Sequence, residues 1–332
     1  MKDLKSWVEE IFDGKLTDLG RDGDIRLQGI LSPTYDQREI ERFMSKYYAT
    51  HEGAGSQAEK INLTDYYQGL LAEAFQTAGL DPVGELELTI LEIGCGFGSA
   101  TFPLMRLMPQ AKLIASEFSA AMLAELKAKL LQRDMLSRCV LMQLNAEEMQ
   151  FKKDSFDMIV GAAILHHLFE PEKVLAGCAR LLKPGGLAFF FEPFEHGLDM
   201  ISDIYRLILA DTRRFFLGPK RCRYLKDCIS IWAKMKNRDK TDPFFNAVDD
   251  KWAFNRDHLE GMALRNGFSE CIIYSLSKAI NPLEELITRH LEGNNIQGMP
   301  KWVWSKIHEY EKNVPSQYKT HILTEGCIIL RK

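Results

Sequence analysis

Short apolar strands alternate with helical segments over residues 86–193, and this alternation limits the folds open to the chain. The apolar runs LELTILEI, AKLIASE, CVLMQLN, FDMIVGAAI and LAFFFEP are separated by stretches with helical spacing, such as SAAMLAELKAKLLQR. Parallel strands need crossover connections, which are usually helices, and they bury both faces of their sheet. The pattern therefore predicts an α/β core with a doubly wound, mostly parallel sheet.

Three glycines at every second position follow the first of these strands, in the stretch ILEIGCGFGSA. A dinucleotide-binding loop needs its third glycine one residue later, where this chain has Ser99. A phosphate-binding P-loop needs a Lys-Ser/Thr pair, which does not follow. The loop predicts a ligand that lies directly against the backbone, with a plain tight turn as the alternative.

Composition excludes several classes of protein. The chain has 332 residues, of which 46% are hydrophobic and 27% charged, and this composition is typical of a globular protein. Its net charge of -4 makes nucleic acid a disfavoured partner. No run approaches a membrane span, and the N-terminal stretch has no signal-like apolar core, so we expect no transmembrane segment or anchor. Seven scattered cysteines without a C-x-x-C pair argue against disulfides or zinc and favour a cytoplasmic location.

The glycine loop, with Glu92 just before it, resembles motif I of the class I S-adenosylmethionine-dependent methyltransferases. The stretches FDMIVGAAILHHL and LLKPGGLAFFFEP resemble motifs of the same family, so that the resemblance is close over residues 86–193 and looser beyond them. It implies a Rossmann-like, mostly parallel seven-stranded sheet whose last strand is antiparallel. It also implies S-adenosyl-L-methionine as cofactor and methyl transfer to an O-, N- or C-acceptor on a small or medium-sized metabolite.

The cofactor site is expected at the carboxyl ends of the strands. Glu117 ends the second strand, where an acid can accept both ribose hydroxyls, and Phe118 could lie against the adenine. Asn145 stands where the family usually has aspartate, and its amide oxygen could accept a hydrogen bond from the adenine amine. Each acid taken singly could be a solvated loop residue. The predicted cofactor-binding residues are Glu92, Gly94, Cys95, Gly96, Gly98, Glu117, Phe118, Asn145, Ala146, Glu147 and Ala162.

Candidates for a general base follow the fourth and fifth strands. The predicted catalytic residues are His166, His167, Glu192 and His196, with Glu195 as a further candidate. For each histidine the alternative is a structural role in packing and capping the loop. An amine acceptor bound in its neutral form would need no base. No metal is expected, because the residues show no established ligand spacing.

Four regions are predicted along the chain. They are a helical N-terminal cap (1–80), the cofactor-binding core (81–194), a helical lid inserted after the fifth strand (195–254), and the C-terminal part of the core with a further helical insertion (255–332). In the cap, aromatic side chains could close over the cofactor, although core packing is the alternative. These side chains are Tyr47, Tyr48, Tyr66 and Tyr67.

The first insertion carries a basic segment between Arg213 and Lys240, where ten Lys and Arg minus two Asp leave a charge of +8. We predict that residues 198–240 cover the acceptor site, and that their charge favours an acidic or carrier-bound small-molecule substrate. A solvated helix face and a membrane-surface contact are the alternatives.

Two alternative functions stay open at this point. They are a non-catalytic regulatory protein that binds S-adenosylmethionine and a nicotinamide-dependent oxidoreductase. The acceptor atom, the need for a base and the oligomeric state are not determined by the sequence.

Overall fold

The computed structural model describes residues 4–35, 38, 40, 63–80, 86–319 and 321–332. In these residues nine strands form one sheet. The strands are β1 (Leu16–Asp18), β2 (Leu31–Pro33), β3 (Thr89–Ile93), β4 (Lys112–Glu117), β5 (Cys139–Gln143), β6 (Phe156–Ala162), β7 (Leu182–Pro193), β8 (Glu270–Ser275) and β9 (Glu325–Arg331).

The described residues also form eleven α-helices. These are α1 (Leu4–Ile11), α2 (Thr64–Thr77), α3 (Thr101–Leu107), α4 (Ala120–Gln132), α5 (Pro171–Leu181), α6 (Glu195–Ala210), α7 (Pro219–Met235), α8 (Arg256–Arg265), α9 (Pro282–Gly293), α10 (Lys301–Lys312) and α11 (Ser316–Lys319). None of them is both long and apolar enough to cross a bilayer.

The strand order is β1-β2-β5-β4-β3-β6-β7-β9-β8. Strands β3 to β7 run parallel, and β9 pairs antiparallel with both β7 and β8. From β3 the chain moves outward to β4 and β5, then returns to β6 on the other side, so the order reverses at β3. Ligands bind at such a switch point, outside the carboxyl ends of the strands. The predicted doubly wound sheet with an antiparallel last strand is confirmed.

The predicted strand count of seven is wrong, because two further strands lie in the region predicted as a helical N-terminal cap. Strand β2 pairs parallel with β5 through Leu31 and Met142, and β1 pairs antiparallel with β2, which extends the sheet to nine strands. Each added strand has three residues, too few to show a period-two pattern in the sequence. The helix expected over residues 37–48 lies almost entirely outside the described residues.

Both faces of the central sheet are apolar and covered. In β7, Phe190 packs in the cluster on one face, while Phe189 and Phe191 pack in the cluster on the other. Each fully buried ring of this kind contributes roughly 1.5–3 kcal/mol. The continuous apolar sequence of β7 is thus explained by a strand buried on two sides.

A third apolar cluster joins the two helical insertions to each other. Helices α6 and α7 follow β7 as predicted, and α9 and α10 lie between β8 and β9. Ile201 and Leu225 of the first insertion share a buried cluster with Leu286 and Ile307 of the second. The apolar side of the first insertion therefore covers α9 and α10, which supply the surface that it needs.

Candidate active site

The glycine loop follows β3 and has a left-handed backbone at each glycine, with φ of +68°, +52° and +95° at Gly94, Gly96 and Gly98. A Cβ on Gly94 would lie 2.7 Å from Ile164, and one on Gly98 would lie 2.5 Å from Leu126. A Cβ on Gly96 would meet nothing within 4 Å. Packing thus requires the outer two glycines, whereas Gly96 borders open space into which a ligand can fit.

Glu117 lies against this loop, as the sequence predicted for an acid at the end of β4. Its Oε2 accepts a hydrogen bond from the amide of Gly96 at 3.3 Å. Its Oε1 accepts from the amides of Phe118 and Ser119 at 2.7 and 3.0 Å. The side chain is buried, so these amides fix the carboxylate beside the open face of the loop.

Glu92 lies behind the loop and is almost fully buried. Its Oε2 accepts a hydrogen bond from Oγ1 of Thr101 at 2.7 Å, which joins β3 to the start of α3. Burial raises the pKa of Glu92 to about 8, although the bond from Thr101 acts in the opposite direction. Burial also raises the pKa of the Cys95 thiol well above its usual value, so this cysteine packs as an apolar residue. Direct contact of either side chain with a cofactor stays a prediction.

Tyr35 packs beside Phe118, the residue predicted to contact the adenine. The ring of Tyr35 meets the ring of Phe118 edge-on at 5.5 Å, and the amide of Asn145 donates to the Tyr35 hydroxyl at 3.0 Å. Oδ1 of Asn145 accepts from the amide of Glu147 at 2.9 Å and has a second lone pair for another donor. Tyr35 was missed in the sequence, because no motif marks it.

Gln143 links the segment that carries Tyr35 to the segment that carries Phe118. Its Oε1 accepts from the Ser32 hydroxyl at 3.0 Å, and its Nε2 donates to the Phe118 carbonyl at 2.9 Å. Because β2 is held to the sheet in this way, Tyr35, two residues after β2, lies at the carboxyl ends of β4 and β5. Of the other predicted cofactor residues, Ala146 is buried next to Asn145 in the turn after β5, and Ala162, which is half-buried, ends β6. The Glu147 carboxylate accepts from the amide of Glu170 at 3.2 Å.

Glu192 near the end of β7 and His166 in the turn after β6 form a buried pair. Oε1 of Glu192 accepts from the amides of Ile164 and Leu165 at 3.1 and 2.8 Å. Oε2 accepts from the amide of His166 at 3.2 Å and lies 2.6 Å from Nδ1 of the same residue. Glu192 thus caps the turn after β6 and fixes the orientation of the histidine ring, which leaves Nε2 directed away from Glu192.

Asp250, which the sequence analysis missed, completes a histidine cluster with Glu192, His166 and His167. Its Oδ1 lies 3.4 Å from Nε2 of His166 and 3.4 Å from Nδ1 of His167. It belongs to the segment between α7 and α8, at the end of the first insertion. No motif surrounds it, and only the folded chain brings it to the histidines.

The charged groups of the histidine cluster shift one another's pKa values. Burial disfavours a charged His166, but the carboxylates of Glu192 and Asp250 outweigh it and raise the pKa of His166 to about 10. Burial and the charge of His166 lower the pKa of His167 to about 4. Partial burial of its carboxylate would raise the pKa of Asp250, but the hydrogen bond and charge of His166, with the charge of His167, hold that pKa well below its usual value. At neutral pH a charged His166 therefore lies between two carboxylates, beside a neutral His167.

The other predicted catalytic residues lie apart from this cluster. His196 is exposed on α6, and no described contact joins it to His166 or Glu192. Glu195 accepts a hydrogen bond from the Asn255 side chain, which ties the start of α6 to the segment before α8. The structure therefore brings together His166, His167 and Glu192 but not His196.

Helices α2 and α9 approach the same edge of the sheet. Tyr67 is buried against Phe191, with 6.1 Å between the ring centres, and this burial, more than the charge of Glu192, raises the pKa of its hydroxyl. The Tyr66 hydroxyl donates to Oε2 of Glu325 at 3.3 Å, and Arg289 of α9 donates to the same oxygen at 2.9 Å. Burial, more than the charge of Glu325, raises the pKa of Tyr66 to about 12. Tyr47 and Tyr48 lie outside the described residues.

Basic side chains of the first insertion bind partners within the helical layer. Nε and Nη2 of Arg221 donate to the Gln297 carbonyl at 3.0 and 2.8 Å, and Nη1 donates to the Leu217 carbonyl at 3.1 Å. Lys234 pairs with Asp242 at 3.0 Å. Arg221 therefore holds α7 to the loop before α10, and the substrate-selecting role predicted for this segment stays a prediction.

A groove of about 730 Å³ lies between the start of α5, the segment after α7, and α8. Its lining includes Trp252 and charged side chains of both signs, which are Lys173, Arg238, Lys240, Glu170, Glu172 and Asp239. The amide of Trp252 donates to the His166 carbonyl at 3.2 Å, so one wall of the groove is directly bonded to the cluster.

Comparisons with known proteins agree with this geometry. Residues 90–186 match a family model described as a methyltransferase domain. An uncharacterised protein of Synechococcus sp. is 28% identical over 209 residues, which are 62% of this chain and 46% of that protein. The ubiquinone/menaquinone biosynthesis C-methyltransferase UbiE of Vibrio campbellii is 27% identical over 192 residues, which are 58% of this chain and 68% of the relative. The chain thus spans less than half of the Synechococcus protein.

Among solved structures, phosphoethanolamine N-methyltransferase 2 of Haemonchus contortus in complex with S-adenosyl-L-methionine has a TM-score of 0.42 and 15% identity to this chain. The alignment covers 74% of this chain and 49% of that one.

Proposed function

We propose that the chain is a class I S-adenosylmethionine-dependent methyltransferase and that it methylates an acceptor that loses a proton in the reaction, an O–H group or an acidic C–H group. The family is the one predicted from the glycine loop. The matched residues, 90–186, include that loop, Glu117, Asn145 and His166. The histidine cluster supports this class of acceptor.

The residues at the carboxyl ends of β3 to β5 fit S-adenosylmethionine. The space over Gly96 would take the methionyl part, which needs close approach to the backbone. Glu117 would accept hydrogen bonds from the ribose, and Phe118 with Tyr35 would flank the adenine. Asn145 would accept from the adenine amine. When bound, this cofactor supplies an electrophilic methyl group, which leaves positioning and proton removal to the protein.

The observation that carries the proposal is the 2.6 Å contact between Nδ1 of His166 and Glu192. A histidine whose Nδ1–H is held by a carboxylate presents Nε2 as a proton acceptor in a fixed direction. A tertiary amine has no proton to lose and would not need this arrangement. UbiE, by its name, methylates carbon, which agrees with an acceptor that loses a proton.

Transfer of radiolabelled methyl from S-adenosylmethionine to a panel of phenols, 1,3-diketones and amines tests this proposal. We expect turnover of a phenol or a diketone, and a loss of about 100-fold or more in His166→Asn. His196→Asn is the matched control, because that histidine is exposed on α6. Turnover of tertiary amines alone, or equal activity in both variants, would contradict the proposal.

An acidic or carrier-bound acceptor that entered the groove between α5 and α8 would meet two neighbouring cations, Arg238 and Lys240. Acids line the same groove, at Glu170, Glu172 and Asp239. Burial lowers the pKa of Lys240 to about 8, and an anion bound near it would raise that pKa again. Reversing both cations to glutamate should raise KM for such an acceptor, whereas Arg223→Glu, on the exposed side of α7, should not.

The two alternatives make different predictions for the same protein. A regulatory protein would bind the cofactor but transfer no methyl group to any member of the panel. A nicotinamide oxidoreductase would bind NADH, for which Ser99 is the wrong residue in the glycine loop.

A further inference from the structure

Two carboxylates contact His166, and they are held very differently. Glu192 is fully buried and makes four contacts of 3.2 Å or less with the turn after β6. The Asp250 side chain is 56% exposed and reaches the two histidines only at 3.4 Å. Of the two acids, Asp250 is therefore the one whose side chain can rotate away at low cost.

The backbone around Asp250 is fixed, so that this rotation needs no movement of the loop. The amides of Lys251 and Trp252 both donate to the His166 carbonyl, at 2.7 and 3.2 Å. Nζ of buried Lys251 donates to the carbonyls of Val248 and Asp249 at 3.0 and 3.1 Å. These bonds keep the Asp250 Cα beside the histidines while its exposed side chain can turn toward solvent.

The groups that face His166 come from several elements. Glu192 of β7 and Asp250 of the insertion act on its charge directly. The charges of His167, in the same turn, and of His290, on α9, lower the pKa of Asp250. The charge of Glu192 contributes to the raised pKa of Tyr67 on α2. In the described part of the chain, Asp250 is the acid that contacts Nε2, the atom that the proposed reaction requires for the acceptor.

We infer that Asp250 is a positioning residue of the methyl-transfer site, which binds Nε2 of His166 in the free protein and gives up that place to the O–H or C–H group of the acceptor. This inference rests on the proposed function, since it concerns the same proton. While Asp250 is in place, His166 holds a proton on each ring nitrogen. When the acceptor displaces Asp250, the Nε2 proton is released to solvent along the exposed carboxylate. Nε2 would then take the acceptor's proton while the acceptor atom forms its bond to the methyl carbon, and the bond between that carbon and the sulfonium sulfur would break with its electron pair left on sulfur.

The first test needs no substrate. In an NMR pH titration of the full chain, the ring signal of His166 should titrate at a pH lower by about one unit or more in Asp250→Asn than in wild type, because an opposite charge within about 4–6 Å is removed. Asp250→Glu should restore most of the shift. Asp203→Asn is the matched control, because Asp203 forms an exposed ion pair with Arg206 on α6.

The second test uses the phenol or diketone that turns over. The acidic limb of kcat/KM reports the free enzyme and should move to lower pH in Asp250→Asn, whereas the limb of kcat reports the complex and should stay in place. An unchanged titration of His166, or an equal shift of both limbs, would overturn the inference. Failure of the proposed function would instead appear as a His166→Asn variant that transfers methyl as well as wild type.

Discussion

Nδ1 of His166 lies 2.6 Å from Oε2 of Glu192, and both side chains are buried at the carboxyl ends of neighbouring parallel strands. The same carboxylate accepts three backbone amides of the turn that carries the histidine. One side chain therefore fixes both the turn and the ring. The structural and catalytic roles considered for His166 are not exclusive, because a base is most effective when its ring is held in one orientation.

The stabilisation from His166 should depend on pH. Its pKa is about 10 in the folded chain and about 6.5 in the unfolded chain. The stabilisation is complete below about pH 6.5 and is lost as the pH rises toward 10. Denaturant unfolding at about pH 6 and about pH 10 should show the difference between wild type and His166→Gln shrinking by about tenfold or more in the unfolding constant. A difference independent of pH would contradict this account.

Glu117→Ala should weaken cofactor binding by about 1.5–3 kcal/mol, because two charge-assisted hydrogen bonds to the ribose would be lost. The chain should still fold, since Glu117 ends its strand at the loop edge. Calorimetric titration with S-adenosylhomocysteine measures the change. Glu148→Ala, an exposed acid in the turn after β5, is the control. Equal affinity in both variants would mean that the ribose lies elsewhere.

Alanine at two of the glycines should separate binding from folding. Gly96→Ala places its Cβ in open space, so it should lower cofactor affinity about tenfold or more and cost about 1–2 kcal/mol of stability through its left-handed backbone. Gly98→Ala meets Leu126 at 2.5 Å and should destabilise the fold more. Thermal unfolding and calorimetry together test this contrast, which fails if the two variants lose stability equally.

Of two charge reversals on α7, the one at Arg221 should lower the free energy of unfolding, whereas the one at Arg223 should not. Arg221→Glu removes three hydrogen bonds to carbonyls and should cost about 1–3 kcal/mol. Arg223→Glu, two residues away and exposed, should change the free energy of unfolding by less than about 0.5 kcal/mol. Denaturant unfolding distinguishes the two. Equal effects would indicate that Arg221 is only a solvated charge.

Local signals in the sequence account for the part of the site that could be predicted. Three alternating glycines after a strand and an acid at the end of the next strand are readable over a few residues, and both lie at the switch point of the sheet. The contact between His166 and Glu192 joins the ends of adjacent strands, so the predicted sheet already placed the two residues near each other.

The remaining parts of the site depend on tertiary contacts that leave no local pattern. Tyr35 is carried in by a three-residue strand, and Asp250 by the end of a helical insertion. The apolar side of that insertion was expected to cover a pocket mouth, because no other surface was evident. Helices α9 and α10, later in the chain, supply that surface. A sequence pattern indicates that an apolar face will be covered, but not by which element.

Calorimetric titration of the wild-type chain with S-adenosylmethionine measures directly whether the glycine loop and Glu117 form a cofactor site. We predict saturable binding of one cofactor per chain with a dissociation constant well below about 1 mM, and no binding of NADH under the same conditions. Absence of binding at millimolar S-adenosylmethionine would contradict it, because the glycine loop and Glu117 would then hold some other ligand or none.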